Sequence, residues 1–234
     1  MRRPRAPEQL SFHDQRLRTG RGGPRPGAGR PPLSANPPVH HVRRPPVPRS
    51  CPSHVTLRLR RGVPGLRSRR FLRELRPSLR RACERGEFRL VHYSVQGNHL
   101  HLLVESAGKE ALGRGMKAVS ARVARAVQRA FGLAGPVLYG RYHLRILRTP
   151  QEVRRALSYV LLNARKHWRE RCGRPPAARL DPASSGRWFD GWRRAPPGRE
   201  PPADSPEVAP ARTWLLAVGW RRHGLVDPAE VPGG

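Results

Sequence analysis

The sequence predicts an α+β fold: an antiparallel sheet with helices packed on one face, preceded by a basic arm and followed by a tryptophan-containing extension. Three observations predict it. Between residues 50 and 170 the hydrophobic pattern alternates between period 2 and period 3.6 in the order strand, helix, strand, strand, helix, strand, helix. Gly97-Asn98 stands between two alternating runs, which reads as a two-residue hairpin with positive φ at its first central position. Of the 27 prolines, only Pro52, Pro64, Pro77, Pro136 and Pro150 fall in that segment, so it is the part able to form a packed core.

Residues 1–49 hold eleven prolines, many arginines and few apolar side chains. Such a segment cannot bury enough surface to offset the entropy of ordering, and it reads as a disordered basic arm. Within it, residues 21–32 resemble the Gly-Arg-Pro core of minor-groove hooks, against the plainer reading of a charged tail attracted to phosphate.

The folded segment, 50–170, opens at His54-Val-Thr-Leu-Arg-Leu-Arg60, where Val55, Leu57 and Leu59 alternate with polar residues as in a half-buried strand. Phe71, Leu72, Leu75, Leu79 and Ala82 then recur at helical spacing, with Pro77 expected to kink or split that helix near Arg76. Strands at 89–96 and 99–105 form the hairpin, pairing Val95 with Leu100 and Ser94 with His101. One face then carries His92, Ser94, Gln96, His99 and His101, and Val91, Tyr93, Val95, Leu100, Leu102 and Val104 fill the other.

From Lys109 to Phe131 the set Leu112, Met116, Val119, Val123, Val127 and Phe131 marks a long amphipathic helix. Its other side carries Arg114, Arg122, Arg125 and Arg129, read either as a solvated face or as phosphate contacts. A fourth strand is expected in 137–148. Thr149-Pro150-Gln151-Glu152 then starts a helix over 150–168, with Thr as cap, Pro at the first position and Glu three residues after the cap. Val153, Ala156, Leu157, Val160, Leu161, Ala164 and Trp168 form its apolar side, and Tyr159 lies off that side with Asn163 one turn later. The arrangement is of the ferredoxin-like type. Residues 171–234 read as a Pro- and Arg-rich linker and a short helix at 211–223, with Trp214, Leu215 and Val218 sharing a side and Gly224 as cap. Its aromatic residues are expected either to dock on the core or to stack on unpaired bases.

The formal net charge is +31, with 47 basic residues against 16 acidic, which points to a polyanion as partner. Only Lys109, Lys117 and Lys166 are lysines. The three cysteines are too scattered for a disulfide framework or a Cys-x-x-Cys metal site and fit a reducing cytosol. No apolar stretch suits a signal peptide or a membrane span, so a soluble intracellular protein is expected.

Chemistry concentrates at His99-Leu100-His101. Two imidazoles at i and i+2 of a strand project from one face with Cα atoms roughly 7 Å apart, a spacing that can close on one metal ion or can be merely a polar strand face. A tyrosine hydroxyl is ionised to about one part in a thousand at neutral pH, so attack on a phosphodiester needs help. A divalent cation on the two histidines would polarise the phosphate and stabilise the departing 3′-oxygen. The side-chain oxygen of Asn163 could complete such a site, and Tyr159 could be the attacking group.

His99-Leu100-His101 followed by Tyr159-x-x-x-Asn163 resembles the HUH single-tyrosine transposases acting on single-stranded DNA. The stretches Tyr93-Ser-Val-Gln-Gly-Asn-His-Leu-His-Leu-Leu-Val-Glu105, Gly140-Arg-Tyr-His143 and Tyr159-Val-Leu-Leu-Asn163 are most similar to the REP-associated tyrosine transposases of bacteria. The resemblance covers about residues 50–170. It implies cleavage and transfer of single-stranded or hairpin DNA through a covalent 5′-phosphotyrosine, with REP-like hairpins as targets. Tyr159 would be the nucleophile and His99, His101 and Asn163 the ligands of Mg²⁺ or Mn²⁺, although two imidazoles alone equally suit Zn²⁺. His92 ranks below Asn163 as third ligand, and Tyr142 reads as a DNA contact or structural residue. Arg114, Arg122, Arg125, Arg129, Arg141 and Lys166 are the expected DNA contacts. The resemblance further implies a cytoplasmic, nucleoid-associated bacterial protein and allows a homodimer. The alternative is a non-catalytic DNA- or RNA-binding protein of the same fold; an RNA-binding sheet would be expected to present stacking aromatics where this one presents His, His and Leu.

Overall fold

The computed structural model describes residues 44–197 and 205–233; most of the predicted basic arm, with its stretch at 21–32, lies outside the described residues. The elements are β1 (Ser53–Arg58), α1 (Arg69–Arg80), β2 (Glu84–Arg85), β3 (Phe88–Val95), β4 (His99–Ser106), α2 (Lys109–Phe131), β5 (His143–Ile146), α3 (Pro150–Cys172) and α4 (Trp214–Ala217). Short 3₁₀ turns lie at Gly186–Trp188 and Gly219–His223. The strands form one antiparallel sheet in the order β2-β3-β4-β1-β5, giving the predicted α+β arrangement. β5 is shorter than the predicted strand, and β2 is a two-residue addition at the opposite edge.

Two cores result, one on each face of the sheet. Val55, Leu57, Leu90, Tyr93, Val95, Leu100, Leu102 and Val104 meet the apolar stripes of α1 and α2. On the other face Val91 and Leu103 meet Val153, Leu157, Val160 and Leu161 of α3. The expectation that the helices pack on one face therefore holds for α1 and α2 and not for α3. Leu103, at an odd position of β4, gives the histidine face an apolar patch that needs cover, and α3 supplies it. Trp168, assigned to the packed side, is 45% exposed.

β3 contains a bulge: Leu90 pairs with Val104 and His92 with Leu103, leaving Val91 extra. The extra residue re-aims the chain, so Val91 joins the second core instead of the first. The β3–β4 register is otherwise as predicted. The turn, however, has no positive φ at Gly97 or Asn98. Its carbonyls are engaged from outside the hairpin, Gly97 O accepting from Leu66 N and Asn98 O from Leu59 N, both at 2.9 Å, so tertiary hydrogen bonds hold the turn.

Ser68 caps α1, its hydroxyl accepting from Phe71 N, and the helix runs unsplit through Pro77 for a further turn. Four apolar anchors, Phe71, Leu72, Leu75 and Leu79, hold both sides of the proline on the core. α2 comes so close to β3 that a Cβ on Gly115 would fall 2.0 Å from the Phe88 ring. α3 begins with the predicted reciprocal cap of Thr149 and Glu152.

Residues assigned to the flanks also pack on the core. Val47 is buried and Arg44 stacks 3.7 Å above the Tyr142 ring, so ordered structure starts before residue 50. Phe189, Trp192 and Trp220 enter the second core, so docking accounts for these aromatics. Buried Glu207 accepts from Tyr93 Oη, Arg187 and Trp188 Nε1, which fastens this segment to β3. Near α4 the buried side is Leu215, Leu216 and Trp220, whereas Trp214 and Val218 face solvent, because the chain switches to 3₁₀ geometry at Gly219. Among the described residues no helix is long and apolar enough to cross a membrane.

Candidate metal and tyrosine site

Alternation along β4 places His99, His101, Leu103 and Glu105 on the face covered by α3. The neighbouring strand β1 brings His54, Thr56 and Arg58 onto the same face, opposite Leu103, His101 and His99 respectively. His99 Nε2 and His101 Nε2 lie 3.0 Å apart, with the rings nearly perpendicular. Each Nδ1 is engaged elsewhere: His99 Nδ1 with Asn98 Oδ1 at 2.8 Å, and His101 Nδ1 with His54 Nε2 at 3.1 Å and Thr56 Oγ1 at 3.3 Å. From α3, the ring of Tyr159 sits edge-on to His101, centroids 5.1 Å apart, and to His54, centroids 5.8 Å apart. Lys166 Nζ lies 5.5 Å from the centre of the tyrosine ring.

Burial is the main force on these imidazoles, because an enclosed site disfavours the charged ring. It lowers His101 to about 2, with His54 and His99 adding repulsion. His54 falls to about 4 by burial, with His143 and Arg145 adding to it. His99 is lowered for the same reason, and Arg58 adds to it. All three are neutral at pH 7, the form in which imidazole binds a metal.

The residues fit a divalent ion. Two ligands at right angles, each about 2.1 Å from one ion, stand about 3.0 Å apart, the observed Nε2 separation. Asn163, one turn after Tyr159 on α3, is fully buried, and neither its Oδ1 nor its Nδ2 has a hydrogen-bond partner among the described residues, an orphaned pair that calls for a ligand. Two imidazoles on one ion would leave its other coordination positions open. Among the described residues no group of three or more His, Cys, Asp or Glu side chains is placed to hold a metal ion. Glu105, the carboxylate on this face of β4, is consumed by the main chain of Arg212 and Thr213 and by the Thr213 hydroxyl.

Other predicted residues lie elsewhere. His92 is held by Ser185 Oγ at 3.2 Å and packs on Phe189. Tyr142 is covered by Arg44 and has Arg141 beside it in the chain. Arg114, Arg122, Arg125 and Arg129 belong to α2, across the sheet from the histidines. Arg129 is ion-paired with Glu74 at 2.7 Å, whereas the other three have no polar partner among the described residues. Of the six expected DNA contacts, Lys166 is the one beside the tyrosine. His54, Thr56 and Arg58 were not singled out by sequence reasoning. Their signal was available: they occupy the polar positions of an alternating strand, and β1 is the central neighbour of β4 in a ferredoxin-like order.

Fold and site together define an α+β protein with a paired-imidazole and tyrosine site between its sheet and its third helix. No protein-family model matches the chain, and no curated protein matches it. A solved structure of a REP-associated tyrosine transposase bound to a REP hairpin is similar to it at 17% identity and a TM-score of 0.42, over 55% of this chain and 74% of that one.

Proposed function

We propose that this protein is a metal-dependent enzyme that cleaves and rejoins single-stranded DNA through a covalent 5′-phosphotyrosine on Tyr159. The observation that carries the reading is the convergence of His99 Nε2 and His101 Nε2 at 3.0 Å beside the Tyr159 ring, with both Nδ1 atoms turned to other partners. His99, His101 and the Asn163 amide oxygen would hold Mg²⁺ or Mn²⁺. Such an ion supplies Lewis-acid polarisation of the scissile phosphate.

In the proposed step Tyr159 Oη bonds to phosphorus and the bond to the 3′-oxygen breaks. The phenolic proton passes to water, and the departing oxygen takes up a proton from water. The ammonium of Lys166, beside the tyrosine ring, attracts the incoming phosphate by its charge. A phosphotyrosine retains the energy of the phosphodiester, so a 3′-hydroxyl can reverse the reaction on another strand. The surplus of arginine supplies sequence-independent affinity for DNA. By the sequence resemblance, hairpin-forming repeats of REP type in a bacterial chromosome are the substrates to test.

The test is a denaturing gel of the protein with labelled single-stranded hairpin DNA and Mg²⁺ or Mn²⁺. A covalent adduct formed by the wild type and lost in Tyr159→Phe is expected. An adduct that survives the substitution overturns the assignment of Tyr159.

A second reading, nucleic-acid binding without cleavage, is favoured by one feature: the two Nε2 atoms are close enough to share a proton and satisfy each other without an ion. Salt-sensitive binding with no adduct on any hairpin tested would select it.

A further inference from the structure

We infer that His54 is a positioning residue for the ion site, setting the tautomer of His101 through the 3.1 Å contact between His54 Nε2 and His101 Nδ1. This rests on the metal reading above.

The hydrogen-bond chain Asn98, His99, His101, His54 has one self-consistent arrangement without an ion. Asn98 Oδ1 is an acceptor, so His99 carries its proton on Nδ1 and presents a lone pair at Nε2. The 3.0 Å contact between the two Nε2 atoms then requires the proton to sit on His101 Nε2. His101 Nδ1 is consequently an acceptor, and His54 donates to it from Nε2.

An ion held by both Nε2 atoms requires a different arrangement. His101 must lose its Nε2 proton and carry one on Nδ1, so the group facing Nδ1 must now accept. His54 meets both demands, since a neutral imidazole donates or accepts at Nε2 according to tautomer. It takes up a proton at Nδ1 as His101 gives one up at Nε2, and the number of protons is unchanged. The Thr56 hydroxyl also reaches this atom, but at 3.3 Å. His54 is the nearer partner, and its ring is held in place edge-on against Tyr159, 5.8 Å between centroids. Fixing the orientation and tautomer of a ligand imidazole is the role outer hydrogen-bond partners play at metal centres, where their loss weakens affinity about 10–100-fold.

The test is calorimetric titration of Mn²⁺ into the full-length wild type and three variants, with ¹⁵N NMR of the histidine rings before and after Mg²⁺. His54→Phe is expected to weaken Mn²⁺ binding about 10–100-fold. His54→Gln, which again offers a donor and an acceptor, should recover most of the loss, and Thr56→Val should cost less than His54→Phe. In the wild type the His101 proton should move from Nε2 to Nδ1 on adding Mg²⁺. Unchanged Mn²⁺ affinity in a folded His54→Phe overturns the inference. If that variant does not fold, the wild-type spectrum decides, since a His101 that keeps its Nε2 proton in saturating Mg²⁺ also overturns it. A wild type that binds neither ion overturns the metal reading itself, and the role of His54 with it.

Discussion

At His99 and His101 the site is built from neutral rings enclosed by α3, and this gives it a distinct pH response. An exposed histidine pair loses metal as pH falls through its ordinary value near about 6.5, because protons compete for the same lone pairs. Here burial lowers both ligand imidazoles, His101 the further, to about 2. The fall of Mn²⁺ affinity is therefore expected to begin at lower pH than for an ordinary histidine pair. A fall centred near about pH 6.5, measured by calorimetry, would contradict the enclosed geometry. His99→Ala or His101→Ala should abolish metal-dependent cleavage and leave binding to single-stranded DNA nearly unchanged, since the charge that attracts DNA sits on other residues. Cleavage assays paired with filter binding check both halves.

The helices that face away from the site carry their own consequences. Pro77 leaves the Arg73 carbonyl without its helical donor, so Pro77→Ala should stabilise the protein by about 1–3 kcal/mol, less whatever the proline gains by restricting the unfolded chain. Urea denaturation checks the sign. Gly115 is the opposite case. Alanine is the better helix former by about 1 kcal/mol, yet its methyl would meet the Phe88 ring 2.0 Å away. Gly115→Ala is therefore expected to destabilise by about 1–3 kcal/mol through overpacking, and Gly115→Ala with Phe88→Leu should recover part of it.

Taken whole, the molecule has two unlike faces, one bearing the imidazoles and Tyr159 and the other the outer side of α2. Arg114, Arg122 and Arg125 are expected to add long-range attraction only. Reversing their charge should weaken DNA binding and flatten its salt dependence without altering cleavage at saturating DNA. Arg58→Glu, opposite His99, should impair cleavage at saturating DNA. Removing residues 1–43, which carry nine arginines against Glu8 and Asp14, should lower affinity for DNA of any sequence and reduce the salt slope. The cut belongs at 43, because Arg44 and Val47 pack on the core. Acid stability is also a property of the whole chain. Burial lowers His92 to about 4, so the unfolded chain binds a proton there that the folded one refuses. Stability is then full above about pH 6.5 and falls with pH by up to about 1.4 kcal/mol per unit until about pH 4. In His92→Phe the ΔG against pH curve should be flatter in that window.

What the sequence determined by itself was local: the alternation that aligns His99 with His101, the Val95–Leu100 register, the reciprocal cap at Thr149 and Glu152, and the apolar stripe of α2. Each depends on residues within a turn or a hairpin of one another, so short-range periodicity encodes it. Tertiary structure decided what depends on distant segments meeting. Leu103 and Val91 drew α3 onto the histidine face, which made an exposed polar pair into an enclosed site. Strand β1 delivered His54 and Thr56 beside His101, a neighbour no spacing within β4 can reveal. The turn at Gly97 and Asn98 took its shape from Leu59 and Leu66, and the late aromatics found their place in a core that exists only once the sheet has formed. Side-chain alternation follows from the geometry of one chain, whereas the choice of covering partner is a competition for buried area and hydrogen bonds that only the assembled fold resolves.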